Sequence, residues 1–238
     1  MTPKLDLKNG IDISIPYRTE KDATSAWYVG PMVVTPVVMG DWIGSVLKGG
    51  SVNFNDLSLN PHGNGTHTEC VGHISKEVHS VNQHLKRWFF EASLVSIEPE
   101  VRGEDKVITL GQLQTVLLEG CSEAIIIRTL PNSDDKLFTN YSNSNPTYME
   151  AEAADWLREQ GVMHLLIDLP SVDREEDGGA LAAHKAFWNY PEAPRMEATI
   201  TELIYVPEHV ADGRYLLNLQ VAPIENDASP SRPVLYSV

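Results

Sequence analysis

Apolar and polar residues alternate through Ile11-Asp12-Ile13-Ser14-Ile15-Pro16, the period of a half-buried strand. Phe89 to Ile97 reads as a further strand. Leu110, Leu113, Leu117 and Leu118 then recur at a helical period, and Gly120 stops that helix. The short unbroken run Ala124-Ile125-Ile126-Ile127 predicts a strand buried on both faces, as in a parallel sheet. Asn132 to Pro146, rich in Asn, Ser and Asp, predicts a loop over a site. Met149 to Gln160 predicts a helix ended by Gly161, and Val162 to Asp168 a second buried strand. Helix, strand, loop, helix and strand in this order point to an α/β layer in the middle of the chain. His164, at the start of the second buried strand, reads as a satisfied core or edge histidine. His79 and His84 lie in a polar segment and read as surface residues. Trp27, Tyr28 and Trp42 are candidate pocket walls, although unpatterned aromatics more often belong to a core.

Composition narrows the partners. The 238 residues suffice for a large core, and 42% hydrophobic with 21% charged residues is ordinary for a soluble globular chain. A formal net charge of −15 repels a phosphate backbone, which excludes nucleic acid as an expected partner. The apolar run from Val29 to Val46 is broken by Pro31, Pro36, Gly40 and Asp41, so no membrane span is expected. Met1 to Asp6 lacks the apolar core of a secretory signal. Two cysteines, Cys70 and Cys121, are too few for a disulfide framework, and a cytoplasmic compartment is the expectation.

The chemistry concentrates in Asn60-Pro61-His62-Gly63-Asn64-Gly65-Thr66-His67-Thr68-Glu69-Cys70-Val71-Gly72-His73. His and Glu side chains bind zinc or manganese. His67 and Glu69, two apart, share a face of an extended backbone, and a turn at Gly63-Asn64-Gly65 would fold His62 back towards them. His73 is close enough to share the pocket as a proton carrier. By spacing alone the stretch fits a metal site or a glycine-rich surface loop that happens to carry histidines.

The same residues resemble the signature of the cyclase family of metal-dependent hydrolases, which includes bacterial kynurenine formamidases and isatin hydrolase. Against the pattern H-x-G-T-H-x-D-x-P-x-H the chain has Gly65-Thr66-His67-x-Glu69-x-x-x-His73. The first histidine, His62, stands one residue further upstream, Glu69 replaces Asp, and Val71 replaces Pro. Downstream, Asp168, Pro170, Ser171 and Asp173 match a strand ending in D-x-P-S-x-D, followed by His184. A late glutamate completes the pattern. Glu202, followed by Val210 to Tyr215 at about the family's distance, is preferred over Glu197, although Asn189 to Arg195 looks like an insertion. The likeness runs from about residue 11 to the C-terminus.

The resemblance implies an α/β fold of the swivelling β/β/α type, one layered domain over 1–238 with mixed sheets, assembled as a homodimer or homotetramer. It implies one or two divalent ions, zinc or manganese. His62, His67 and Glu69 would hold the first, and Glu69 would bridge to a second held by His184 and Glu202. The extra methylene of Glu69 moves its carboxylate by about 1 Å, which matters where ligand distances are fixed within about 0.2 Å. His73 would act as general acid and base in hydrolysis of a small aryl formamide or a cyclic amide or imide. Two other readings stay open. One is a member of the same fold that binds metal or ligand without turnover. The other is a thiol hydrolase using Cys70 beside His67 or His73.

Overall fold

In the computed structural model, which describes residues 6–238, four parallel strands form the middle of a nine-stranded mixed sheet. They are Phe89–Ile97, Ala124–Thr129, His164–Ile167 and Thr199–Glu202, paired in that order. Parallel neighbours require crossovers, and the helices Leu110–Val116, Ala151–Glu159 and Ala182–Trp188 supply them. Antiparallel strands extend the sheet on both sides. Gly213–Asn218, Val234–Ser237 and Ile11–Asp12 follow Phe89–Ile97, while His67–Glu69 and Ala228–Pro230 follow Thr199–Glu202. The result is the α/β layer that the patterning predicts, with the mixed sheets that the resemblance implies.

The unbroken apolar runs have a simple origin. Side chains alternate across a strand, and here both faces are covered. Ile125, Ile127, Leu165 and Ile167 pack with Leu113, Leu157, Phe187 and Trp188 of the three crossover helices. Ala124, Ile126 and Leu166 pack on the other face with Ile13, Val81, Leu85, Phe90 and Val206. Cys70 belongs to this second core and is fully buried.

Some boundaries differ from the sequence reading. The first crossover helix stops at Val116, opened by a reciprocal Thr109–Gln112 cap. Met149 is in a short strand, Tyr148–Met149, paired with Val107 and Ile108, so the second helix begins at Ala151. Glu202 closes the strand Thr199–Glu202. His79 and His84 are partly exposed, with ring centroids 5.5 Å apart. His164 is buried, its Nδ1 2.8 Å from the Thr199 hydroxyl.

Residues 33–58 stand apart from the main sheet. Val33–Pro36 pairs only with Asn55–Ser58, and Val38–Met39 only with Trp42–Ile43. This arm exposes Val33, Val38, Met39, Leu47, Phe54 and Leu57. Among the described residues no helix is long and apolar enough to cross a membrane. Met1 to Leu5, most of the stretch read as lacking a secretory signal, lie outside the described residues.

Candidate metal centre

The site is assembled at the carboxyl ends of the parallel strands, from the early histidine stretch and the late half of the chain. Asn60 caps a one-turn helix, Pro61–Asn64, its side chain accepting from the Gly63 backbone N–H at 3.2 Å. The turn needs its glycines. A Cβ on Gly63 would lie 2.5 Å from Val29, and one on Gly65 would lie 2.8 Å from the Ile15 carbonyl. The chain then extends as His67–Glu69, antiparallel to Thr199–Glu202, in a register that sets Glu202 opposite His67. That pairing joins residues 135 apart in sequence.

All five expected ligands converge. His67 Nδ1 donates to the Gly65 carbonyl at 3.1 Å, which leaves Nε2 as the free ring atom, 3.4 Å from Glu202 Oε2. His184 Nε2 lies 3.1 Å from Glu69 Oε1 and 3.7 Å from Glu202 Oε1. His62 Nδ1 lies 3.1 Å from Glu69 Oε2. The ligand atoms fall into two overlapping groups. His67, Glu69 and Glu202 make one, and His62, Glu69 and His73 the other, each with atoms within 4.8 Å of one another. Glu69 is common to both. Glu197 instead lines a separate pocket with Arg87 and His164.

Three further residues support the ligands. Asp227, just before Ala228–Pro230, receives His62 Nε2 at 3.0 Å and lies 3.4 Å from His73 Nδ1. Asp173 lies 2.6 Å from His184 Nδ1. Thr66 accepts from the Ile15 backbone N–H at 2.6 Å and donates to the carbonyl of Leu203, the residue after Glu202. Asp168 does not reach the site. It ties Thr129 to Lys136, accepting from the Lys136 ammonium at 2.7 Å.

The electrostatics are those of a crowded acid–histidine cluster. Burial disfavours protonation of His62, but Asp227 and Glu69 outweigh it and push its pKa up to about 10. Burial likewise opposes protonation of His184, and Asp173 and Glu69 push it up to about 10. Burial raises the Glu69 carboxyl, yet His73, His184 and His62 together hold it well below the ordinary range. The hydrogen bonds from His62 and His73 hold Asp227 low as well.

A divalent ion fits this arrangement. Among the described residues four buried side-chain polar atoms lack a hydrogen-bond partner, and two of them are His67 Nε2 and Glu69 Oε2. Orphaned buried polar atoms are costly, and the two residues that carry them form one ligand group with Glu202. Their mixture of imidazole nitrogen and carboxylate oxygen suits zinc or manganese. Above them opens a cavity of about 300 Å³ lined by Trp27, Asn60, His62, His73, His184 and Glu202, among others. Tyr28 is exposed, and Trp42 lies in the arm, away from this cavity. The Cys70 thiol is pushed up to about 11, first by burial, and its sulfur faces the His79 carbonyl at 3.7 Å. A buried, protonated thiol outside the cavity is no nucleophile, which removes the thiol-hydrolase reading.

Comparison with known proteins covers most of the chain. A family model described as putative cyclase matches residues 11–174. A kynurenine formamidase from Bacillus cereus is 28% identical over 193 residues, 80% of this chain and 83% of that protein. Kynurenine formamidase from Bacillus cytotoxicus is 29% identical over 192 residues, 79% and 82% of the two chains. An isatin hydrolase bound to the product analogue thioisatinate superposes with a TM-score of 0.68 at 14% identity, over 96% of this chain and 92% of that one. A structure described as that of a predicted metal-dependent hydrolase from Bacillus stearothermophilus gives 0.65 at 16% identity, over 96% and 98%. At these identities the structural likeness speaks for the fold.

Proposed function

The chain belongs to the cyclase family, and from that premise we propose that it is a metal-dependent amidohydrolase of non-peptide C–N bonds. Its substrate is a small amide, either an aryl formamide or a cyclic amide or imide. The curated relatives named kynurenine formamidase support this class. The observation that carries it is the pair of orphaned ligand atoms, His67 Nε2 and Glu69 Oε2, beneath a cavity that admits a small molecule.

His67, Glu69 and Glu202 are the innermost ligands, and His62 and His184 adjoin them through Glu69. A bound zinc or manganese ion would supply Lewis acidity, making water nucleophilic at neutral pH and polarising the amide carbonyl. The remaining steps belong to side chains. Gly65 and Asp173 fix the ring orientations of His67 and His184 through their Nδ1 atoms. His73 lines the cavity, with Nδ1 turned towards Asp227 and Glu69. When the C–N bond breaks, its imidazolium delivers a proton to the departing amine nitrogen, and the neutral ring recovers one from the incoming water.

The chain works as one domain in a cytoplasmic homodimer or homotetramer. Two free cysteines accord with a reducing compartment, and the exposed apolar arm at 33–58 supplies a contact surface. Elemental analysis of purified protein, with a hydrolysis screen of formanilides, cyclic imides and lactones, tests the proposal. Stoichiometric zinc or manganese and chelator-sensitive amide cleavage are expected. Metal-free protein that cleaves a substrate, or metal content unchanged by His67→Ala, would overturn it.

A further inference from the structure

A second cavity, of about 250 Å³, lies at the opposite end of the parallel strands from the metal centre. His164 and Thr199 open neighbouring strands there, in register, whereas Glu202 closes the second of them at the metal centre. His164 is 3% exposed and lines this cavity. Its Nδ1 lies 2.8 Å from the Thr199 hydroxyl, which is buried and has no other partner among the described residues. A buried O–H with one neighbour donates to it, so Nδ1 is the acceptor and Nε2 carries the proton. Nε2 has no partner among the described residues, and it is not one of the four orphaned atoms sealed from solvent. Its N–H therefore opens on the cavity. Burial, then the charges of Arg87 and Arg195, push the His164 pKa down to about 3, so the ring is a neutral donor at pH 7.

The same wall carries further donors. Lys86 has no partner among the described residues, and the Arg87 guanidinium, held by Glu123 through its terminal nitrogens, keeps its Nε–H free. The Arg87 guanidinium lies 5.1 Å from the Phe90 ring centroid, and that ring lies 4.0 Å from the His164 ring, so the donors line up along one side. Arg195, whose charge is felt at His164, bonds to the carbonyls of Phe187 and Val162 and has no carboxylate partner among the described residues. One carboxylate faces them on the wall, Glu197, which is exposed and makes no hydrogen bond there. In a chain of net charge −15 this is a local excess of cationic donors. A ligand that accepts from all of them needs several oxygens and more than one negative charge. A phosphate group has both, whereas a carboxylate has two oxygens and one charge. Leu85, Phe90 and Met163 leave the remaining wall apolar.

We propose that this cavity binds a small organic phosphate, its oxygens on His164 Nε2, Lys86 and Arg87 and its organic part on Leu85, Phe90 and Met163. The site is separate from the metal centre and stands whether or not the amide-hydrolase reading holds.

Calorimetry on the full-length protein at low salt, with phenyl phosphate, inorganic phosphate and benzoate, tests the site. Phenyl phosphate is expected to bind tightest, and benzoate about tenfold more weakly or worse. Lys86→Gln and His164→Asn should each weaken phenyl phosphate about tenfold. Glu197→Gln should tighten it, because a like charge leaves the wall. Lys86 and Glu197 are exposed, so their variants decide the matter even if His164→Asn fails to fold. Phosphates also bind metal ions, and His67→Ala is the control, in which binding is expected to persist. Binding lost in His67→Ala and unchanged in Lys86→Gln would put the phosphate on the metal and overturn the site. No binding of phenyl phosphate, or benzoate binding equally well, would overturn it too. Inorganic phosphate binding as tightly as phenyl phosphate would overturn the organic half of the assignment and make the free ion the ligand.

Discussion

His184 Nδ1 lies 2.6 Å from Asp173 Oδ2, and the same carboxylate accepts the backbone N–H groups of Ala183 and His184. One side chain thus caps the helix and fixes the ring that it carries, aiming Nε2 at Glu69. Asp173→Asn keeps the shape but loses the charge that orients the imidazole. Metal affinity is expected to fall about 10–100-fold, with the fold retained. Competition with a chelating dye measures the affinity, and circular dichroism checks the fold. Undiminished affinity would show that Asp173 serves the helix alone.

A proton carrier and a ligand respond differently to truncation. His73→Ala should keep its metal while turnover drops about 10²–10⁴-fold. The loss should shrink for formanilides with acidic leaving groups, which need less protonation. Metal content and rates across a substituted formanilide series decide the matter. Loss of the ion, or an equal rate loss for every leaving group, would make His73 a ligand or a scaffold residue.

Glu69→Asp restores the residue of the family pattern, yet is expected to weaken the site. The Glu69 carboxylate lies 3.1 Å from His62 on one side and 3.1 Å from His184 on the other. Shortening the side chain by a methylene withdraws it from both. Metal affinity should fall about tenfold or more, measured by the same dye competition. Tighter binding in Glu69→Asp would mean that His62 and His184 follow the carboxylate inward.

Thr66 joins the early loop to the late strand through buried bonds to Ile15 and Leu203. Thr66→Val leaves a buried N–H and a buried carbonyl unpaired. Urea unfolding should show a loss of about 2–4 kcal/mol, and Thr66→Ser should recover most of it. Equal stability of the Val and Ser variants would show that the methyl group, not the hydroxyl, matters here.

Acid stability should carry the signature of His164. Burial, with the charges of Arg87 and Arg195, pushes its pKa down from 6.5 to about 3. Between those values the unfolded chain binds a proton that the folded chain refuses. Its contribution is therefore complete above the unfolded pKa and is lost as pH falls through this window, at up to about 1.4 kcal/mol per pH unit. Urea unfolding of wild type and His164→Asn at pH 7, 5.5 and 4.5 tests it. The stability of wild type should fall more steeply, and parallel slopes would assign the acid sensitivity to the carboxylates.

Local pattern placed the main elements, and it drew attention to the histidine stretch without deciding between a metal site and a surface loop. Ala124 to Ile127 and His164 to Ile167 read as strands covered on both faces because short, β-branched apolar runs bounded by turn residues suit a buried parallel strand better than a helix. His62, His67, Glu69 and His73 announced a cluster because residues so near in the chain meet through one turn. The rest depends on contacts that the chain makes only at long range. Antiparallel register sets Glu202 opposite His67 and Ala228 opposite Glu69, which brings Asp227 to His62. Such pairings leave no periodic trace in either segment. Nor did periodicity mark Trp27, Leu181 and Leu203, whose backbones are left-handed. The elements follow from the alternation of side chains along a strand or helix, whereas the site follows from which strands pair, and pairing is a property of the whole sheet.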